Sequence, residues 1–281
     1  MAFERRVLAP VLCGLAVLAS GATALGAAVA SVAERSGGVS AKLSYRHDAK
    51  NAVEPFSDLQ LKIVRNGKPL YRAAVANKAC GTICWPNLPD ALRVADVEAD
   101  GQPDVLLNLY TGGAHCCNVT DLFRYDRARD DYSSLLHIWG DPGYSLERLD
   151  ASKAYEFVTY DDRFAYEFAA FAFSGLPLQI LRLEDGRFVD VTRAYPKLVA
   201  PAAAQQWRYY LDNRSDGTGL GFLAAWAADE YVLGRRDQVA QELTQLERAR
   251  ELLSSGPHIW PAGAGFVAQL DGFLRKTGYM S

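Results

Sequence analysis

The sequence predicts a mainly β protein with an α-helical C-terminal segment, its β part an array of repeated units. Three observations carry this. Segments with apolar residues at every second position, bounded by turn residues, recur from about Leu43 to Val191. They pair off into three strand–turn–strand units. Past Pro201 the apolar spacing changes from two residues to that of a helix.

The N-terminus reads as an address. Arg5 and Arg6 supply a positive region, Val7 to about Ser20 an apolar one, and small residues follow. Ala22-Thr23-Ala24 and Ala28-Val29-Ala30 both fit the A-x-A cleavage pattern, so residues 1–30 are assigned to a signal peptide. The competing reading is an uncleaved anchor, because Val7 to Val32 is long enough to span a bilayer. A cleaved leader places the mature chain in the periplasm or outside the cell, free of the membrane. Elsewhere the composition is that of a folded domain, 49% hydrophobic and 22% charged. The net charge of -3 gives no drive towards nucleic acid or anionic lipid.

The β-repeat domain is drawn over residues 40–197. LQLKIV (Leu59 to Val64) runs into Asn66-Gly67 and PLYRAAV, a strong hairpin signal. LFRYD (Leu122 to Asp126) meets YSSLLHIW across a charged turn. LQILRL (Leu178 to Leu183) meets RFVDV across Glu184-Asp185-Gly186. Each hairpin starts roughly 55–60 residues after the last, a period in the range of propeller blades and similar β arrays. The stretches before the later two also match. RVADVEADGQPDVLLN precedes the second, and RLDASKAYEFVTY precedes the third, keeping Asp150 and Glu156 without the glycine. Residues 205–281 are assigned to a helical segment packing on the β domain. It contains FLAAWAADEYVL, stopped at Gly234, then DQVAQELTQLERARELL and FVAQLDGFLRK.

DVEADGQPD, from Asp96 to Asp104, is the clearest chemical signal. Asp96, Glu98, Asp100 and Asp104 set oxygen side chains around Gly101, with the alternation of a calcium loop. Val105 to Leu109 then reads as a buried strand. An EF-hand is excluded, because its twelfth position is Leu107 and the flanks are strands.

This D-x-E-x-D-G-x-x-D run leading into a buried strand resembles the FG-GAP or VCBS-type repeat of integrin α-like β-propellers and secreted bacterial proteins. Similar bacterial proteins carry a Gly-Gly-Ala-His-Cys-Cys run after the loop, here Gly112 to Cys117. The resemblance covers Leu92 to Trp139 well and the flanking repeats faintly. It implies Ca²⁺ held by the side chains of Asp96, Glu98, Asp100 and Asp104 and by the backbone carbonyl of Gln102. Glu98 stands where the family has a shorter Asp or Asn. About three blades cannot close a ring, so the array reads as a partial or degenerate propeller.

With Cys13 in the leader, Cys80, Cys84, Cys116 and Cys117 remain, and an exported chain would oxidise them. Four cysteines allow three connectivities. A bond between Cys116 and Cys117 closes a strained eight-membered ring, which favours cross-links joining the Cys80/Cys84 loop to the Cys116/Cys117 pair. His115 reads as a hydrogen-bonded structural residue. Asp161-Asp162 reads as a turn, and Asp212 to Gly219 as a polar loop into a helix with Asp216 or Thr218 as cap. WRYY, around Trp207, is the aromatic cluster best placed for a surface.

These readings converge on an exported, non-enzymatic binding or envelope-structural module, with a protein or glycan as ligand. Two alternatives stand beside it. One is a hydrolase or lyase on a propeller-like scaffold. The other is a redox or metal-handling protein using Cys116 and Cys117.

Overall fold

The computed structural model describes residues 28–76, 78–80 and 84–280. The chain forms three antiparallel sheets followed by helices. The first sheet runs in chain order through β1 (Ala28–Ser36), β2 (Val39–His47), β3 (Phe56–Arg65) and β4 (Lys68–Ala74). In the second, β5 (Trp85–Pro86) and β6 (Leu92–Ala95) share one side of β7 (Asp104–Tyr110). The other side of β7 continues into β8 (Asn118–Asp126) and β9 (Asp131–Gly140). The third is again a four-stranded meander, β10 (Ser145–Glu147), β11 (Glu156–Tyr160), β12 (Leu178–Glu184) and β13 (Arg187–Asp190).

The three hairpins read from sequence are the last two strands of each sheet. Asn66 and Gly67 both have positive φ, at 49° and 80°, as do Asp185 and Gly186, at 49° and 76°. Left-handed backbone at both central positions matches the twist of the flanking strands, and these residue types adopt it readily.

Packing follows the order of the sheets. Alternate residues of β2 and β3, including Leu43, Leu61 and Ile63, pack on Val105, Leu107 and Leu109 of β7. Leu106, on the opposite face of β7, packs with Phe157 and Leu181 of the third sheet. Strand β7 is therefore buried on both faces, which is why its sequence is a continuous apolar run. The far face of the third sheet, through Leu178 and Ile180, meets Val199 and Leu233 of the helical segment.

That segment holds α1 (Pro196–Asn213), α2 (Leu220–Val232), α3 (Arg236–Arg248) and α4 (Ala264–Thr277). The last three fall where the sequence reading puts helices, although α3 stops at Arg248, leaving Leu253 beyond it and exposed, and α1 begins before the boundary drawn at 205. Pro196 sits in its first turn, where no intrahelical N–H bond is lost, and Pro201 removes a single bond further in. Nor is WRYY a surface cluster as a whole. Tyr210 is fully buried, Trp207 packs against Trp226, and of its three aromatic rings only that of Tyr209 is exposed. At the other end β1 starts at Ala28, so a leader drawn to residue 30 overlaps a paired strand. The rest of that leader lies outside the described residues.

Candidate functional site

The acidic loop connects β6 to β7. Asp96 accepts hydrogen bonds from the backbone N–H groups of Asp100 (3.0 Å) and Gly101 (2.9 Å), and Asp100 accepts one from Gln102 N–H (2.8 Å). Gly101, with φ of 80°, supplies the left-handed turn. Glu98 is drawn aside into a salt bridge with Arg124 of β8, and the side chain of Gln102 accepts from Arg65 of β3. Asp104 closes the loop at the start of β7. It is only 4% exposed and accepts one hydrogen bond, from Val97 N–H at 3.2 Å. Burial pushes its carboxyl up to about 8, and the charges of Glu98 and Asp100 act in the same direction.

The donor chemistry suits Ca²⁺: hard carboxylate oxygens on a glycine-turned loop, one of them buried and short of positive charge. Asp96, Asp100, Asp104 and the Gln102 carbonyl are the groups that would hold the ion. Recruiting Glu98 as well requires it to leave Arg124. Among the described residues no three His, Cys, Asp or Glu side chains are already gathered as a metal centre.

The third sheet carries a counterpart that the sequence hinted at only by similarity. Between β10 and β11, Glu156 accepts from Leu149 N–H (2.9 Å) much as Asp104 accepts from Val97 N–H. Asp150 accepts from Ser152 N–H. Here the positive charge is built in. Arg182 of β12 bridges Asp150 (2.6 Å) and Glu156, and Tyr195 donates to the same two carboxylates.

The cysteine expectation is corrected. Cys80 bonds Cys84 and Cys116 bonds Cys117, so neither disulfide joins the two segments. The Cα atoms of Cys80 and Cys84 lie 5.1 Å apart, within the span of a disulfide. Bonded in this way, the four sulfurs offer no thiolate to a nucleophilic step or a zinc ion. His115 stacks on Phe171 with ring centroids 3.9 Å apart, and its Nδ1 lies 2.6 Å from the Tyr166 hydroxyl. That fits the structural reading.

Two further features differ from the sequence reading. Asp161 is more than a turn residue: it is buried, paired with Arg163, and accepts from the Tyr279 hydroxyl at 2.9 Å. The loop before α2 holds an Asx turn, with Asp216 accepting from Thr218 N–H and hydroxyl. The helix cap itself is Gly219, not Asp216 or Thr218.

A cleft of about 540 Å³ was not legible in the sequence at all. One strand of each sheet borders it, with Glu34 from β1, Arg93 from β6 and Leu146 from β10. Its floor is a chain of hydrogen bonds. Trp139 Nε1–H donates to the Thr120 hydroxyl, which donates to Asn108 Oδ1, each at 2.8 Å. Tyr144 donates to the same oxygen at 3.0 Å.

Compared with known proteins, the chain matches no family model. It is 30% identical over 211 residues to a probable thylakoid lumen protein of Synechocystis, an alignment spanning 72% of this chain and 59% of that one. It is 29% identical over 144 residues to an uncharacterized protein of Sinorhizobium fredii, spanning 50% of this chain and 22% of that one. The chain thus matches little more than half the length of the first relative and less than a quarter of the second. A Xanthomonas type IV secretion system related protein aligns over 58% of this chain and 93% of its own, at 14% identity and a TM-score of 0.26. That likeness carries no argument. Among the described residues no helix is long and apolar enough to cross a membrane.

Proposed function

We propose that the chain is an exported, non-enzymatic β-repeat module that binds a partner or ligand and is stabilised by one structural Ca²⁺. The observation that carries this is the contrast between the two acidic loops. Glu156 and Asp150 have the guanidinium of Arg182 between them, whereas Asp104 is buried and, among the described residues, forms no salt bridge. When bound, Ca²⁺ supplies positive charge directly at Asp104, where Arg124 is instead engaged by Glu98. The residues of the chain then pin the start of β7, a strand on which two cores meet.

The propeller-like reading is supported by three consecutive antiparallel sheets of four, five and four strands stacked face to face, with β1, β6 and β10 bordering one cleft. The helices cover the outer face of the third sheet, so the array ends without an apolar face open to solvent there. Export is supported by the leader-like N-terminus, by two disulfides, and by similarity to a protein named as a probable lumen protein. Calorimetric titration with Ca²⁺ tests the site. One ion per chain is expected, with affinity lost in Asp96→Asn and Asp104→Asn. No heat of binding in the wild-type chain rejects it.

A further inference from the structure

We propose that the cleft between β1, β6 and β10 binds a neutral, polyhydroxylated ligand: a short saccharide. This deepens the binding-module reading and rests on it, but it does not depend on Ca²⁺. At about 540 Å³ the cleft has the size of a small-molecule site. It is also the place to which all three repeats contribute.

The chemistry of the lining selects the ligand class. The floor is fixed, because Asn108 accepts from Thr120 and Tyr144 and donates to the Asp90 carbonyl at 2.8 Å. Asn118 is likewise held, donating to the Asp141 carbonyl at 2.8 Å and accepting from Asn87 at 3.1 Å. With these contacts made, the rim keeps open polar groups: the Asn87 carbonyl, the Asp90 and Glu34 carboxylates and the Arg93 guanidinium. Among the described residues neither carboxylate makes an ion pair, and Arg93 only faces the Tyr155 ring, 5.6 Å from its centroid.

Hydroxyl groups both donate and accept, and this rim offers acceptors on three residues and donors on a fourth. Two carboxylates against one guanidinium repel an anion. The aliphatic residues that line the cleft, Leu92, Val119 and Leu146, are themselves buried and leave a lipid chain little to bury against. A rigid, hydrogen-bonded floor under open polar groups holds a sugar without the cost of ordering the site on binding.

The test is a titration of the full mature chain with glucose, galactose, N-acetylglucosamine, maltose and chitobiose, read by tryptophan fluorescence and by NMR. It is run in Ca²⁺ and again in EDTA, so that a failed calcium site is seen separately. At least one sugar is expected to bind with a Kd below about 1 mM, and Asp90→Ala with Arg93→Ala should weaken it tenfold or more. Both residues are exposed, so the fold is kept, and an unchanged melting temperature checks this. Three results overturn the proposal: no sugar bound at 10 mM, binding unaffected by the double substitution, or spermidine bound at the cleft in place of every sugar.

Discussion

Glu156 of β11 pairs in register with Arg182 of β12, and its fully buried carboxylate takes its countercharge from that guanidinium. The second sheet has the same elements in a different arrangement. Asp104 and Arg124 each lie one residue beyond the paired couple Val105 and Phe123, yet Arg124 turns to Glu98 instead. One loop is closed by an internal cation, and the other keeps a buried carboxyl that, among the described residues, has no salt bridge of its own.

Removing the internal cation should be costly. Arg182→Met leaves Glu156 buried without countercharge, and stability should fall by about 3 kcal/mol. The double substitution Glu156→Gln with Arg182→Met should recover much of that loss. Urea unfolding at neutral pH measures both, and a single-variant loss under about 1 kcal/mol would contradict the pairing.

Asp229 sets a pH dependence. It is 0% exposed on α2, accepts from Leu178 N–H at 3.1 Å, and burial pushes its carboxyl up to about 8. The folded state therefore holds a proton that the unfolded state releases near its ordinary value. This contribution to stability is complete in acid, below the unfolded value, and is lost as pH rises through about 8. Asp104 acts with the same sign. Asp229→Asn should be more stable than wild type at pH 8, with the difference shrinking at pH 5. Urea unfolding at the two pH values decides it, and a difference that grows towards acid would refute the assignment.

The disulfide pairing is directly readable. Tryptic cleavage after Lys78, Arg93 and Arg124 places Cys80 with Cys84 in one peptide and Cys116 with Cys117 in the next. Without reduction, mass spectrometry should find Ala79–Arg93 and Val94–Arg124 unlinked, each lighter by two hydrogens. A single cross-linked species would restore the pairing between segments.

The mature N-terminus should be Leu25. Cleavage after Ala30 would remove Ala28, Val29 and Ala30, which pair with His47, Arg46 and Tyr45. Cleavage after Ala24 leaves β1 whole. N-terminal sequencing of the exported protein distinguishes the two, and a start at Ser31 would mean that β1 is shorter in the mature chain.

The parts of the fold visible in the sequence were those with local determinants. Asn66-Gly67 and Asp185-Gly186 marked hairpins because their backbone conformation is one that few other residues adopt. Leu243, Leu246 and their neighbours marked α3 by spacing alone. Strand β1 was hidden because alanine and serine beside a leader look like its cleavage region. Strands β5 and β10 are too short to show a period. Helix α1 was masked by two prolines that its first turns tolerate. The acidic loop was visible because its residues are contiguous. The fate of Glu98 was not, because Arg124 lies on another strand. For the same reason the cleft, assembled from separate strands, left no local trace.

Thermal melting of the mature chain in EDTA and in millimolar Ca²⁺ tests the central claim most directly. At Ca²⁺ a hundredfold above its Kd, binding contributes about 2.7 kcal/mol, or a rise in Tm of roughly 5–10 °C. The wild-type chain should show that rise, and Asp104→Asn should lose it. Identical melting of the wild-type chain in the two conditions would contradict a structural calcium ion and leave the acidic loop a solvated turn.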